Sequence, residues 1–124
     1  MSYEEFQKHF EETAEIEQKT FDKLPTKDLI AKVKAKEFGT TYQIWYALAR
    51  KARVEDVGWL FFDVLESEEE YLTRYHCAAA LLSLFNPFPG IMKPEKLSGR
   101  EAFYVDQHLE EMKKEMIKRI GPKK

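Results

Sequence analysis

The chain is short of the residues on which most chemically active sites depend. Its 124 residues include one cysteine, three histidines and five glycines, and the glycines are scattered rather than grouped in a phosphate-binding loop. A single cysteine cannot form an internal disulfide, which fits a reducing compartment. Three histidines without further cysteines match no zinc pattern. The composition therefore predicts a cytoplasmic location and neither a metal nor another cofactor.

The sequence also lacks a long hydrophobic run. Its longest apolar stretch, CAAALLSLF, is far too short to span a bilayer, and the N-terminus MSYEEFQKHF is acidic and polar, unlike a secretory signal peptide. Hydrophobic residues make up 44% of the chain and charged residues 34%, which is typical of a soluble globular protein. We therefore expect a single domain spanning residues 1–124, with no membrane segment.

A strong excess of either charge is missing, since the net charge is −2. Its distribution is uneven, however: the net charge is −4 over residues 1–24, +5 over 25–53, −6 over 54–86 and +3 over 87–124. Alternating signs suit consecutive elements that pack with complementary faces, or surface patches that steer a charged partner.

Helix start and stop signals are abundant. Pro25 precedes Thr26, a candidate N-cap, and Gly39 is a natural helix stop. Three capping boxes are present, at Ser2-x-x-Glu5, Ser67-x-x-Glu70 and Ser98-x-x-Glu101. No segment shows sustained strand alternation, so the predicted fold class is all-α. The predicted helices cover residues 3–23, 27–37, 40–52, 54–66, 68–85 and 99–120.

Apolar residues at helical spacing predict which helix faces are buried. Residues 86–97, with three prolines and one glycine, are expected to form a Pro-rich crossover loop. The expected buried set of the first helix is Tyr3, Phe6, Phe10, Ala14 and Phe21. That of the fifth helix is Thr73, Cys77, Ala80, Leu81 and Leu84. That of the last helix is Ala102, Val105, Leu109, Met112, Met116 and Ile120.

An internal repeat relates two helix pairs, 27–52 and 54–85. Residues 38–48, FGTTYQIWYAL, align with 71–81, YLTRYHCAAAL, at an offset of 33. The second segment resembles the second helix of a HEAT-like repeat, in which an arginine leads an alanine-rich run. This resemblance implies a short HEAT-like stack of two helical hairpins. Residues 1–24 and 98–121 would serve as N- and C-terminal capping helices.

The HEAT-like resemblance also implies where a partner would bind. The second helices of successive units line one face of such stacks. Trp, Tyr and Arg there are the residue types that dominate binding hot spots. The residues expected to bind a partner are Tyr42, Trp45, Tyr46, Arg50, Arg74 and Tyr75. The alternative is that a terminal helix buries this patch.

Residue pairs with catalytic or metal-binding potential are few. His9-x-x-Glu12 and His108-x-x-Glu111 place carboxylates beside histidines, but in the reverse of the order used in helical di-metal sites. Cys77 has no second cysteine or visible acid partner that would mark an activated thiol. We therefore expect no enzymatic activity and read Cys77 as a packing residue.

The function predicted from the sequence is non-catalytic binding of a protein partner, as an adaptor or a toxin-immunity-type inhibitor. One alternative is a nucleic-acid-binding HEAT-like domain that uses the basic residues of segment 32–53. A homodimer formed through the same aromatic residues, and a small helical enzyme of unknown substrate, are further alternatives.

Overall fold

The computed structural model describes residues 2–85 and 105–123, and the described residues contain helices but no strand. The predicted all-α fold class is confirmed. The helices are α1 (Tyr3–Lys23), α2 (Thr26–Lys34), α3 (Gln43–Lys51), α4 (Val54–Glu66), α5 (Tyr71–Leu84) and α6 (Val105–Ile120). The predicted loop 86–97 and the helix start predicted at Ser98 lie outside the described residues.

The chain divides into two compact units. The first, Met1–Lys51, contains α1, α2 and α3, and both α1 and α2 pack on α3. The second, Ala52–Lys124, contains α4, α5 and α6, and each of these helices contacts the other two. Among the described helices, none has the length and apolar character that crossing a bilayer requires.

Local capping decides where the helices begin and end. The bounds of α1 and α4 match the prediction, and the backbone N–H of Glu5 donates to Ser2 Oγ over 3.1 Å, as the first capping box requires. The second predicted capping box is wrong. Ser67 ends α4 instead of starting α5, because its hydroxyl donates to the carbonyl of Val64 over 2.5 Å. Helix α5 therefore begins at residue 71 rather than 68.

Helix α2 ends before the predicted stop at Gly39. Lys36 adopts a left-handed conformation with φ of 60°. Its N–H donates to Val33 O over 3.0 Å, and the N–H of Glu37 donates to Lys32 O over 2.8 Å. These two bonds form a Schellman motif with lysine at the position that glycine usually occupies. The motif satisfies the last carbonyls of α2 and ends the helix at Lys34.

A carboxylate of α1 holds the chain that leads into α3. Glu17 accepts hydrogen bonds from the Thr41 N–H over 2.8 Å and from the Thr41 hydroxyl over 2.5 Å, and the Thr40 N–H lies 3.0 Å from Oε2. Gly39, with φ of +77°, is needed beside it, because an added Cβ would lie 2.7 Å from Glu17 Oε2. The carboxylate thereby satisfies backbone donors just before α3 starts.

These hydrogen bonds make the stability of the protein depend on pH. Burial alone would raise the pKa of Glu17, but the bonds from Thr41 and Thr40 outweigh burial and lower the pKa below the usual 4.5. A carboxyl whose pKa is lower in the folded state stabilises the fold above its unfolded pKa. It loses that contribution as the pH falls through the folded pKa.

We expect Glu17→Gln to remove this acid-sensitive part of the stability, because an amide does not titrate. Denaturant unfolding between about pH 6 and about pH 3 measures it, since this range includes the ordinary pKa of a glutamate. Below the ordinary pKa the wild type should lose free energy of unfolding faster than the variant. Glu15→Gln is the control, because Glu15 is exposed and pairs with Lys19 alone. Parallel curves for wild type and Glu17→Gln would contradict the assignment.

The second unit has a close-packed helix contact at Gly58. A Cβ added to this residue would lie 2.6 Å from Cε of Met116 on α6.

The predicted stripe of α5 is confirmed at Thr73, Cys77, Ala80 and Leu81, which are buried, whereas Leu84 is half-buried. In α6, Val105, Met112 and Met116 are buried, and Leu109 and Ile120 are half-buried.

Candidate functional site

Trp45, which the sequence assigned to the partner-binding face, lies in the core. Trp45 is fully buried and its ring centroid lies 5.1 Å from that of Phe38, so its assignment to a partner-binding surface is wrong. The reason is the central place of α3, which contacts both α1 and α2 and therefore buries a wider arc than a single stripe. Its buried residues are Ile44, Trp45, Ala47 and Leu48.

Both arginines of the predicted face form bonds within the fold. Arg50 Nη2 lies 2.7 Å from Asp22 Oδ1 and so links α3 to the end of α1. Arg74 donates from Nε over 3.0 Å and from Nη2 over 2.7 Å to the carbonyl of Leu65. Because Leu65 is in the last turn of α4, Arg74 caps that helix, and its charge complements the negative end of the helix dipole.

The three tyrosines of the predicted face are all half-buried. Tyr42 and Tyr46 belong to the first unit, and Tyr42 has a left-handed backbone with φ of 64°. Tyr75 belongs to the second unit, where its ring contacts those of Tyr71 and His76 at centroid distances of 6.0 and 5.3 Å. Burial, together with the nearby Tyr71, raises the pKa of Tyr75, and burial lowers the pKa of His76.

Among the described residues, the two most exposed aromatic side chains are Tyr3 and Phe6, and both lie on α1. Tyr3 is 78% exposed, Phe6 57% and Phe10 37%, so their predicted burial is wrong, whereas Phe21 of the same stripe is buried. We call Tyr3, Phe6 and Phe10 the α1 aromatic face. Residues three and four apart share one side of a helix, so the three rings form one continuous strip.

The length of α1 explains why this face is exposed. At about 1.5 Å per residue, the 21 residues of α1 extend roughly 31 Å, whereas the 9 residues of α3 extend roughly 13 Å. A short partner helix covers only part of a long one, and here it leaves the N-terminal turns uncovered. The sequence carried a signal for this, since the predicted helices 27–37 and 40–52 are both much shorter than 3–23.

The basic residues of segment 32–53 are largely engaged in the fold. Lys51 Nζ donates to the carbonyls of Leu24, over 2.6 Å, and of Asp22, and so caps the C-terminus of α1. Three further basic residues of this segment form ion pairs. These are Lys32 with Glu37 at 3.6 Å, Arg50 with Asp22 at 2.7 Å, and Arg53 with Glu55 and Asp56 at 3.7 and 3.6 Å. These internal partners weaken the case for a phosphate-binding surface, which needs cations directed at the ligand.

Cys77 lies in the core of the second unit. The thiol is fully buried and donates to the carbonyl of Phe61 over 3.4 Å. Burial raises the pKa of Cys77 well above its ordinary value, because the thiolate would be poorly solvated there. The contact between α4 and α5 therefore includes a buried thiol whose ionised form is disfavoured.

We expect a thiol reagent such as DTNB to label Cys77 only after unfolding. The reactive species is the thiolate, which is both inaccessible and disfavoured in the native state. The absorbance of the released thiolate, followed in native buffer and in denaturant, provides the measurement. Rapid labelling of the native protein, at the rate of a free cysteine, would contradict the burial of this side chain.

In the described part of the chain, no group of three or more His, Cys, Asp or Glu side chains is placed to hold a metal ion. His9-x-x-Glu12 lies on an exposed stretch of α1, and His108-x-x-Glu111 lies on α6.

Comparison of the chain with protein-family models, with curated proteins and with solved structures gave no match. The HEAT-like resemblance of residues 27–85 and the repeat on which it depends therefore stay predictions.

Proposed function

We propose that this chain is a non-catalytic protein-interaction module of the cytoplasm, acting as an adaptor or as an inhibitor of the toxin-immunity type. It binds its partner through the α1 aromatic face. The observation that carries the proposal is the exposure of Tyr3, Phe6 and Phe10, at 78%, 57% and 37%, on one side of a capped helix. Aromatic side chains are enriched at binding hot spots because they bury a large area while few rotamers are frozen.

The energetics support a binding surface rather than an incidental exposure. Each aromatic ring that moves from water into an interface buries about 150–250 Å². Leaving three of them in contact with water on one strip is unfavourable for a free monomer, and a protein partner removes that cost.

The test removes the α1 aromatic face and leaves the fold in place. Tagged wild type and a Tyr3→Ser/Phe6→Ser/Phe10→Ser variant are recovered from the native cells, and the bound proteins are quantified by mass spectrometry. We expect one protein to be depleted at least tenfold from the variant, which corresponds to about 1.4 kcal/mol. Its binding should then be reproduced with the two purified proteins.

The control is Ile16→Ser, because Ile16 is 65% exposed on the same helix but lies outside the α1 aromatic face. This variant should retain the partner. Equal recovery from wild type and the triple variant, with both folded by circular dichroism, would contradict the proposal.

A further inference from the structure

The α1 aromatic face has the spacing of a helix that inserts into a groove. Its residues stand at positions i, i+3 and i+7, which are the anchor positions by which an amphipathic helix docks in a hydrophobic groove. Each of the three side chains projects into solvent over two successive turns. A projecting row of this kind fits a concave surface, so the groove belongs to the partner and the inserted element to this chain.

Helix α1 is anchored to the first unit through its C-terminal half. Its first turn is capped by Ser2, which accepts from the N–H of Glu5, and its C-terminus is capped by Lys51. Phe21 is buried in the first unit, and Glu17 is tied to Thr41. The N-terminal turns therefore continue a helix that is already formed and anchored. A preorganised helix loses less conformational entropy on binding than a segment that must fold first.

The charge around the α1 aromatic face indicates the chemistry of the groove. Residues 3–12 contain Glu4, Glu5, Glu11 and Glu12 with Lys8 as the one cation, so they carry a net charge of −3 with histidine neutral. At about 3.6 residues per turn, Glu4 and Glu11 lie on one flank of the face and Glu5 on the other, whereas Glu12 and Lys8 lie behind it. All five side chains are exposed. A partner whose groove is bordered by lysine and arginine would be attracted to this surface, and one bordered by carboxylates would be repelled.

A second copy of this chain is a poorer occupant. Two α1 helices pairing through this face would bring together two surfaces of the same negative charge. The contact would also extend over only about two helical turns, or roughly 10 Å. A stable interface buries about 800 Å² on each partner, and a groove that encloses the helix reaches that area more readily than a second helix does.

We infer that the N-terminal turns of α1 insert into an apolar groove of a partner protein, and that lysine and arginine side chains border this groove. The inference rests on the proposed function, since it specifies the partner for the same face. It adds two features that the proposed function does not require, namely insertion of the helix and a cationic border.

The experiment first identifies the contact on the full-length chain. p-Benzoylphenylalanine is placed at Phe6 in one variant and at Lys8, on the opposite side of the helix, in another. After illumination in the native cells, cross-linked proteins are identified by mass spectrometry. We expect a cross-link from position 6 and none from position 8, because only the first is enclosed by the groove.

The second step tests the charge of the border on the purified pair. We expect Glu4→Lys/Glu11→Lys to raise the Kd about tenfold, since it replaces attraction by repulsion at two positions. The matched control, Glu66→Lys/Glu68→Lys, makes the same change in net charge at two exposed residues of the second unit. This control should change the Kd less than twofold. Raising NaCl from about 50 mM to about 500 mM should weaken the wild-type complex, because salt screens exposed charges.

The outcomes separate this inference from the proposed function. If serine at the three aromatic positions abolishes binding but both charge variants bind like wild type, the cationic border is wrong and the proposed function stands. Equal cross-linking from positions 6 and 8 overturns insertion into a groove. A cross-link to a second copy, together with a dimer in sedimentation that the aromatic variant abolishes, overturns the choice of occupant. Failure of both the cross-link and the triple-variant effect overturns the proposed function as well.

Discussion

Replacing Trp45 with alanine is expected to lower the free energy of unfolding by about 3–5 kcal/mol, the range found for the truncation of large buried aromatic residues. The indole ring is fully buried and packs at a centroid distance of 5.1 Å from the ring of Phe38. Truncation removes the transfer free energy of the ring and leaves a cavity that the neighbouring helices only partly close. Urea denaturation followed by circular dichroism measures the loss.

The adjacent residue provides the control for Trp45. Tyr46 is half-buried on the same helix, so Tyr46→Ala removes an aromatic ring whose surface is already partly in water. Its cost should be clearly smaller than that of Trp45→Ala. If the two variants unfolded at the same denaturant concentration, or if Trp45→Ala matched the wild type, the burial of Trp45 would be contradicted and its sequence-based assignment to a partner surface would regain support.

Replacing Ala80 with tryptophan should destabilise the second unit by about 1–3 kcal/mol or more, because overfilling a packed core forces side chains and backbone to move. Ala80 is fully buried on α5, a helix that packs against both α4 and α6. The melting temperature and the denaturant midpoint should therefore both fall.

The same substitution one residue earlier is the matched control. Ala79 is half-buried on α5, so the tryptophan in Ala79→Trp can turn toward solvent. We expect Ala79→Trp to retain most of the wild-type stability. Two variants that melt together, near the wild-type temperature, would show that α5 does not bury the stripe that contains Ala80.

The sequence predicted the buried face of α5 better than that of α1, and the difference shows what an apolar stripe can indicate. Both helices have apolar residues at three- and four-residue spacing. In α5 the stripe includes two small residues, Cys77 and Ala80, which favour close helix contact, and the structure buries them. In α1 the stripe includes Tyr3 and Phe6, and the structure exposes them. Spacing identifies an apolar face, but it does not say how far along the helix a neighbour extends.

The aromatic residues that the structure exposes are not those that the sequence predicted at a partner surface. Aromatic residues as binding elements could be inferred from composition, and the structure offers an exposed aromatic face, although on α1 rather than on α3 and α5. Trp45 and Arg74 were assigned to a surface because their residue types dominate hot spots. Arg74 instead bonds the carbonyl of Leu65, nine residues away in the chain. The residue type alone does not decide between a core, a helix cap and an interface, because the neighbours in the fold decide between these roles.

The sequence alone determined that this chain is helical, where α1 and α4 begin and end, and that Cys77 and Ala80 are core residues. These properties depend on local interactions, such as the capping of α1 by Ser2, and on periodic burial, and both are encoded by residues close together in the chain. Tertiary structure alone decided that Trp45 is buried and that the α1 aromatic face is open. The physical reason is that burial depends on which helix lies opposite and how long it is, and a 9-residue α3 cannot cover a 21-residue α1.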